Sequence, residues 1–204
     1  MRNSNRKTLR TVQLAMLVAL VVVLQIISAS VPPIGGMVSI TLTLVPVVVG
    51  AILFGVKGGA ILGASFGLIV LINCIIALDR GGNFLWTVNP FYTSLICLVK
   101  GVAAGVIPAW TYRLINGKRE EISAKQRYGA TMVSALFAPV VNTGLFVCGM
   151  LIFFQDALYA WAGGTPIVSY ILFVLAGLNF LVEFLINIFL TPAIVRIVDV
   201  VKKN

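Results

Sequence analysis

Histidine is absent from the 204 residues. That removes the usual general base and the commonest metal ligand, and with them the Ser–His pair of membrane-embedded serine proteases. Cysteine occurs three times, and Cys74, Cys97 and Cys148 each stand alone inside an apolar run. No metal spacing or disulfide framework is visible, so they read as small buried residues. Charged residues make up 10% of the chain, against about 25% in soluble domains. No Walker A, GxGxxG or HExxH pattern occurs, so an ATP-driven step would need another chain to supply the ATPase. No metal, cofactor or catalytic residue is expected. A membrane enzyme is disfavoured because no nucleophile–base pair can be assembled without histidine.

Apolar residues are what the chain has instead. They make up 60% of it, the mean hydropathy is +1.07, and several runs are long enough to span about 30 Å of hydrocarbon. The net charge of +9 would suit nucleic acid if it formed a patch, but it is spread over short segments. Every Lys and Arg except Arg80 and Lys100 falls in residues 2–10, at Lys57, in residues 113–127 or in residues 196–203. That distribution is a topology signal with those segments cytoplasmic. The reading is an all-α, multi-pass protein of the cell membrane, a single domain over residues 1–204. Six spans lie near 11–29, 40–54, 59–78, 91–115, 128–154 and 169–198, and both termini are cytoplasmic. The basic start and small residues Ser28-Ala29-Ser30 also allow a cleaved signal peptide. The length of the apolar part and the Ala15/Ala19 pair favour a helix.

Pro46 predicts that the second span is short or kinked. Gly59, Gly63 and Gly67 form a ridge at four-residue spacing that lets a neighbouring backbone approach closely. Residues 79–89 (DRGGNFLWTVN) read as the longest polar connection on the outer side. There Trp86, Asn89 and Tyr92, with Trp161 in the last outer connection, are candidate rim residues over a ligand, or an aromatic belt.

Deep in the last span, Asn179, Glu183 and Asn187 recur every four residues and share one helix face. A carboxylate there costs roughly 2.5 kcal/mol or more if it faces lipid, so it must face protein or a water-filled cavity. Lys100 is the only other ionisable residue comparably deep. The two either pair and fix helix packing, or Lys100 faces the base of a pocket and balances an anionic ligand, with Asn142 and Asn179 adding hydrogen bonds. Trp86, Asn89, Tyr92, Lys100, Asn142, Trp161, Asn179 and Glu183 are thus the candidate binding residues.

The segment from Ser39 to Gly63 (SITLTLVPVVVGAILFGVKGGAILG), with Lys100-Gly101-Val102-Ala103-Ala104-Gly105 and the run from Asn179 to Ile194 (NFLVEFLINIFLTPAI), resembles the substrate-binding S components of energy-coupling factor (ECF) vitamin transporters. The likeness covers essentially the whole chain. It implies a six-helix subunit that captures a water-soluble vitamin at low concentration. A transmembrane T component and two cytoplasmic ATPase subunits would drive release inward. The T component would dock on an Ala-xxx-Ala face of the first helix, matched here by Ala15 and Ala19. Lys100 beneath a loop-rich outer half fits an anionic ligand such as pantothenate or folate. The alternative is a proton-coupled secondary transporter using Glu183. No convincing internal repeat between residues 1–102 and 103–204 supports it.

Overall fold

The apolar runs fold as helices, and no strand occurs among the residues that the computed structural model describes, 2–30, 41–117, 123–175 and 177–203. The elements are α1 (Arg2–Ser30), α2 (Leu44–Ile75), α3 (Arg80–Val88), α4 (Pro90–Asn116), α5 (Ala124–Phe153), α6 (Gln155–Ala162), α7 (Ile167–Tyr170), a π-helical stretch (Ile171–Leu175) and α8 (Gly177–Lys203). Five stretches are long and apolar enough to cross a bilayer: Lys7–Ser30, Leu44–Ile75, Pro90–Asn116, Ala124–Phe153 and Ile167–Val201. Large apolar side chains such as Met16, Ile61, Phe137 and Phe189 point outward from them, as a surface bathed in lipid requires.

The expected boundary between the second and third spans lies inside α2. Gly55 there has φ 69° and ψ −162°, a conformation cheap only for glycine. The chain folds back on itself at this residue. A Cβ placed on Gly58 would lie 3.4 Å from the Gly50 carbonyl, and one on Gly59 3.3 Å from the Ala51 Cβ. In a continuous helix residues eight apart are separated by about 12 Å. Residues 44–54 and 56–75 are therefore antiparallel arms. Pro46 sits in the first turn, where its missing N–H is not needed, so the first arm is short because of Gly55 and not because of the proline.

The second arm of α2 lies against α4 with backbone touching backbone. A Cβ on Gly67 would stand 2.6 Å from the Cys97 carbonyl, and one on Gly101 2.6 Å from that of Gly63. Gly59 and Gly105 face each other in the same way. The small-residue ridge is thus the seam that joins these two helices. Elsewhere in the bundle, Arg127 pairs with Asp199, tying the start of α5 to the end of α8.

Two departures from expectation concern the connections. Residues 79–89 are not an open loop, because α3 occupies most of them. Asp79 caps it by accepting from the Gly82 N–H at 2.9 Å, and Gly81 and Leu85, one turn apart, turn inward. The last span is not one helix either. The π-helical stretch interrupts it, and Gly177 follows so close to the Leu172 carbonyl that a Cβ would collide. Cys148, expected to be buried, is exposed.

Candidate ligand-binding site

Two small adjoining cavities open among α2, α3, α4, α5 and α8, and both are lined by Val70, Asp79, Lys100 and Phe146. The first lobe adds Cys74, Leu85, Thr93 and Cys97. The second adds Gln25, Thr41, Asn142, Thr143, Leu175 and Glu183. The fold therefore brings Lys100, Asn142 and Glu183 to one place from three separate helices.

Each arrives there for a local reason. Lys100 projects from α4 one residue before Gly101, part of the seam with α2, so the rigid α2–α4 pair fixes its Cα. Its ammonium lies 5.2 Å from the centroid of the Phe146 ring, a cation–π distance. Glu183 lies on the inward face of α8, 3% exposed, with Asn187 at 1% and Thr191 at 0% one and two turns on. Asn187 Nδ2 donates to the Glu183 backbone carbonyl at 2.8 Å, and Thr191 Oγ1 to that of Asn187 at 2.7 Å. Glu183 Oε1 accepts from the Thr41 backbone N–H at 2.8 Å. Its second carboxylate oxygen, Oε2, has no protein partner, and neither has Oδ1 of Asn142, which is 5% exposed. Lys100 and Glu183 line the same lobe without closing to an ion pair.

A cationic nitrogen and two buried, unpartnered acceptor oxygens thus face one interior space. A buried polar group left unpaired costs about 1–3 kcal/mol, and more when charged. A ligand offering an anionic group to Lys100 and O–H or N–H donors to Asn142 and Glu183 would recover that cost. The enclosed space is about 30 Å³ in the first lobe and about 40 Å³ in the second, which suits a few waters. Drug-sized ligands occupy sites of about 300 Å³ or more, so the walls must part to admit one.

The other candidates stand elsewhere. Asn89 caps α4, its Oδ1 accepting from the Tyr92 N–H at 3.1 Å. Tyr92 stacks on Phe153 at 4.4 Å between centroids. Trp86 packs against the main apolar core. Trp161 lies 5.8 Å from the Phe84 ring, joining α6 to α3, and its Nε1 is buried without a partner. None of the four lines either lobe. The side chain of Asn179 lies outside the described residues. Ala15 and Ala19 are exposed on α1 beside Met16, Leu20 and Val23.

Sequence reasoning passed over Asp79, Gln25, Thr41, Thr143 and Phe146. Gln25 carried a signal, as a lone amide inside the apolar run 21–27. Its Oε1 accepts from Thr43 Oγ1 at 2.8 Å. Thr143 and Phe146 lie one and four residues beyond Asn142, so helical periodicity from that residue would have found Phe146.

Residues 9–195 match the family described as ECF transporter, substrate-specific component. The Pantothenic acid transporter PanT of Lactococcus lactis subsp. cremoris (strain MG1363) is 28% identical over 203 residues, covering 94% of this chain and 94% of that protein. The first match is to a transporter component and the second to a transporter.

Proposed function

This chain belongs to the family of ECF transporter substrate-specific components, and on that footing we propose that it is the high-affinity capture subunit for pantothenate. The observation that carries the choice of ligand is the shared lobe, where the Lys100 ammonium stands with the unpartnered oxygens of Asn142 and Glu183. Pantothenate has a carboxylate at one end and an amide and two hydroxyls along its length. Lys100 takes the carboxylate, while Asn142 and Glu183 accept from the hydroxyl or amide donors. The likeness to a pantothenic acid transporter along nearly the whole chain supports the same ligand.

In this reading the protein makes six spans, the arms of α2 counting as two, with both termini cytoplasmic. Arg80 is then the only basic residue in the connections on the capture side. Trp86 on α3, Asn89 and Tyr92 at the start of α4, and Trp161 on α6 form the rim, and α3 and α6 shift when the ligand enters. Transport is completed by a T component seated on the α1 face around Ala15 and Ala19, and by two ATPase subunits. The chain itself hydrolyses nothing.

Mass spectrometry of small molecules released from the purified, denatured protein tests the ligand directly. Pantothenate is the expected species. Recovery of a different vitamin in stoichiometric amount would overturn the assignment.

A further inference from the structure

A single amide, Gln25, interrupts the apolar run 21–27 of α1. Polar side chains inside a membrane span are costly unless they meet protein or water. Gln25 is accordingly buried on the inward face of α1, together with Val21 and Ser28. That face is clamped twice to the residues leading into α2. Ser28 Oγ accepts from the Leu42 N–H at 3.3 Å, and Gln25 Oε1 accepts from Thr43 Oγ1 at 2.8 Å. Thr43 is the N-cap of α2, yet its side chain makes no cap bond to that helix. The hydroxyl serves Gln25 instead. Asn73 Nδ2 adds a longer bond to the Gln25 carbonyl at 3.4 Å. With Oε1 engaged, Nε2 is the end of the amide left for the second lobe, which Gln25 lines beside Lys100, Asn142 and Glu183. No acceptor among the described residues meets Nε2. A buried amide that only joined two helices would find protein at both ends.

We infer that Gln25 is a specificity-determining residue whose Nε2 donates to a neutral carbonyl oxygen of the ligand, and that Thr43 is its positioning residue. Lys100 reads an anion, while Asn142 Oδ1 and Glu183 Oε2 read hydrogen-bond donors. None of these three atoms reads a neutral acceptor. Pantothenate carries one, the amide carbonyl between its carboxylate and its hydroxyls, so the name of the acceptor rests on the pantothenate reading. The two ends of a glutamine amide are alike in shape and opposite in hydrogen bonding. Which end faces the lobe therefore decides whether a carbonyl is welcomed or refused. Thr43 sets that choice by donating to Oε1 and holding the oxygen away. A ligand without the carbonyl would leave a buried donor unpaired, which is how a polar site rejects an analogue.

The test titrates the full chain with pantothenate and with its thioamide analogue, in which a weakly accepting sulfur replaces the amide oxygen. Wild type should prefer pantothenate about 10- to 100-fold. Gln25→Met, close in shape but without a donor, should lose pantothenate affinity by a similar factor and bind the two ligands alike. Thr43→Val frees the amide to turn and should lose part of the preference. Thr43→Ser keeps the hydroxyl and should restore it. Adding Thr43→Val to Gln25→Met should cost no further affinity, because Thr43 acts through Gln25. A role confined to packing would lower the unfolding temperature and leave the ratio of the two affinities where it was. No preference in wild type, or an undiminished preference in Gln25→Met, would overturn the inference while leaving pantothenate as the ligand. If Gln25→Met does not fold, the Thr43 variants decide, and an equal preference in Thr43→Val and Thr43→Ser contradicts the inference. Failure of the wild-type chain to bind pantothenate at all would overturn the ligand reading and this inference together.

Discussion

Thr41 and Glu183 are 142 residues apart in the chain, and the backbone N–H of the first donates to the carboxylate of the second at 2.8 Å. The bond ties the segment just before the short α2 arm to the second turn of α8, and it engages only one of the two carboxylate oxygens. Glu183 therefore has one structural oxygen and one that remains open to a ligand. The two roles separate by substitution. Glu183→Leu removes both acceptors and leaves the Thr41 N–H unpaired, which should destabilise the protein by about 1–3 kcal/mol. Glu183→Gln keeps an acceptor for Thr41, so it should unfold near the wild-type temperature while binding its vitamin less tightly. Thermal unfolding and ligand titration of both variants check this. Equal destabilisation in the two would mean that the charge, and not the hydrogen bond, holds the arm.

Lys100 is the sharper test of the ligand's charge. Among the described residues no carboxylate closes on it as an ion pair, and its near neighbour is the Phe146 ring. Lys100→Met should therefore fold normally and lose about 1.5–3 kcal/mol of ligand affinity, roughly 10- to 150-fold. Adding Glu183→Gln should not restore it. Recovery of binding in the double variant would instead mean that the two residues act as a buried pair whose halves must be removed together.

The glycine seam makes a prediction about stability with an internal control. Gly63→Ala and Gly101→Ala each force a methyl into the opposing backbone, where neither helix can yield without parting, and should cost about 1–3 kcal/mol or more. Gly144→Ala on α5 meets nothing within 4 Å and should be neutral or slightly stabilising, as alanine is the better helix former. Detergent-melting temperatures of the three variants decide it. A neutral Gly101→Ala would show that α2 and α4 are not locked.

The two interior charges could be read from the sequence because an ionisable residue deep in an apolar run has few acceptable places to go. The glycine ridge was legible for a similar reason, as a fixed spacing on one face. Partners contributed by other elements were not. Thr41 and Gln25 reach the second lobe only after α1 and the short arm pack beside α8, and no local spacing encodes that. Residues 79–89 were obscured by composition, since two glycines and several polar residues mask a nine-residue helix whose clearest sign is Asp79 three positions ahead of Gly82. Asn89-Pro90 carried a purely local message, a cap followed by proline at the first helical position, and that is the geometry observed. Gly55 stood within a Gly-Val-Lys-Gly-Gly turn signal, and the fold-back occurs there.

The α1 surface is tested by separating capture from transport. Ala15 and Ala19 are exposed and contribute nothing to the cavity lining. Replacing both with Leu or Trp should leave ligand binding to the isolated chain unchanged and abolish vitamin uptake in cells that supply the T component and ATPases. Undiminished uptake would remove the docking role from this face.

The most direct measurement is calorimetric titration of the purified chain, alone and without nucleotide, with pantothenate, folate and riboflavin. Pantothenate should bind one per chain with a Kd on the order of nanomolar, about −12 kcal/mol, and the other two should bind at least about a thousandfold more weakly, roughly 4 kcal/mol. No binding of pantothenate without ATP, or equal affinity for all three, would contradict the account.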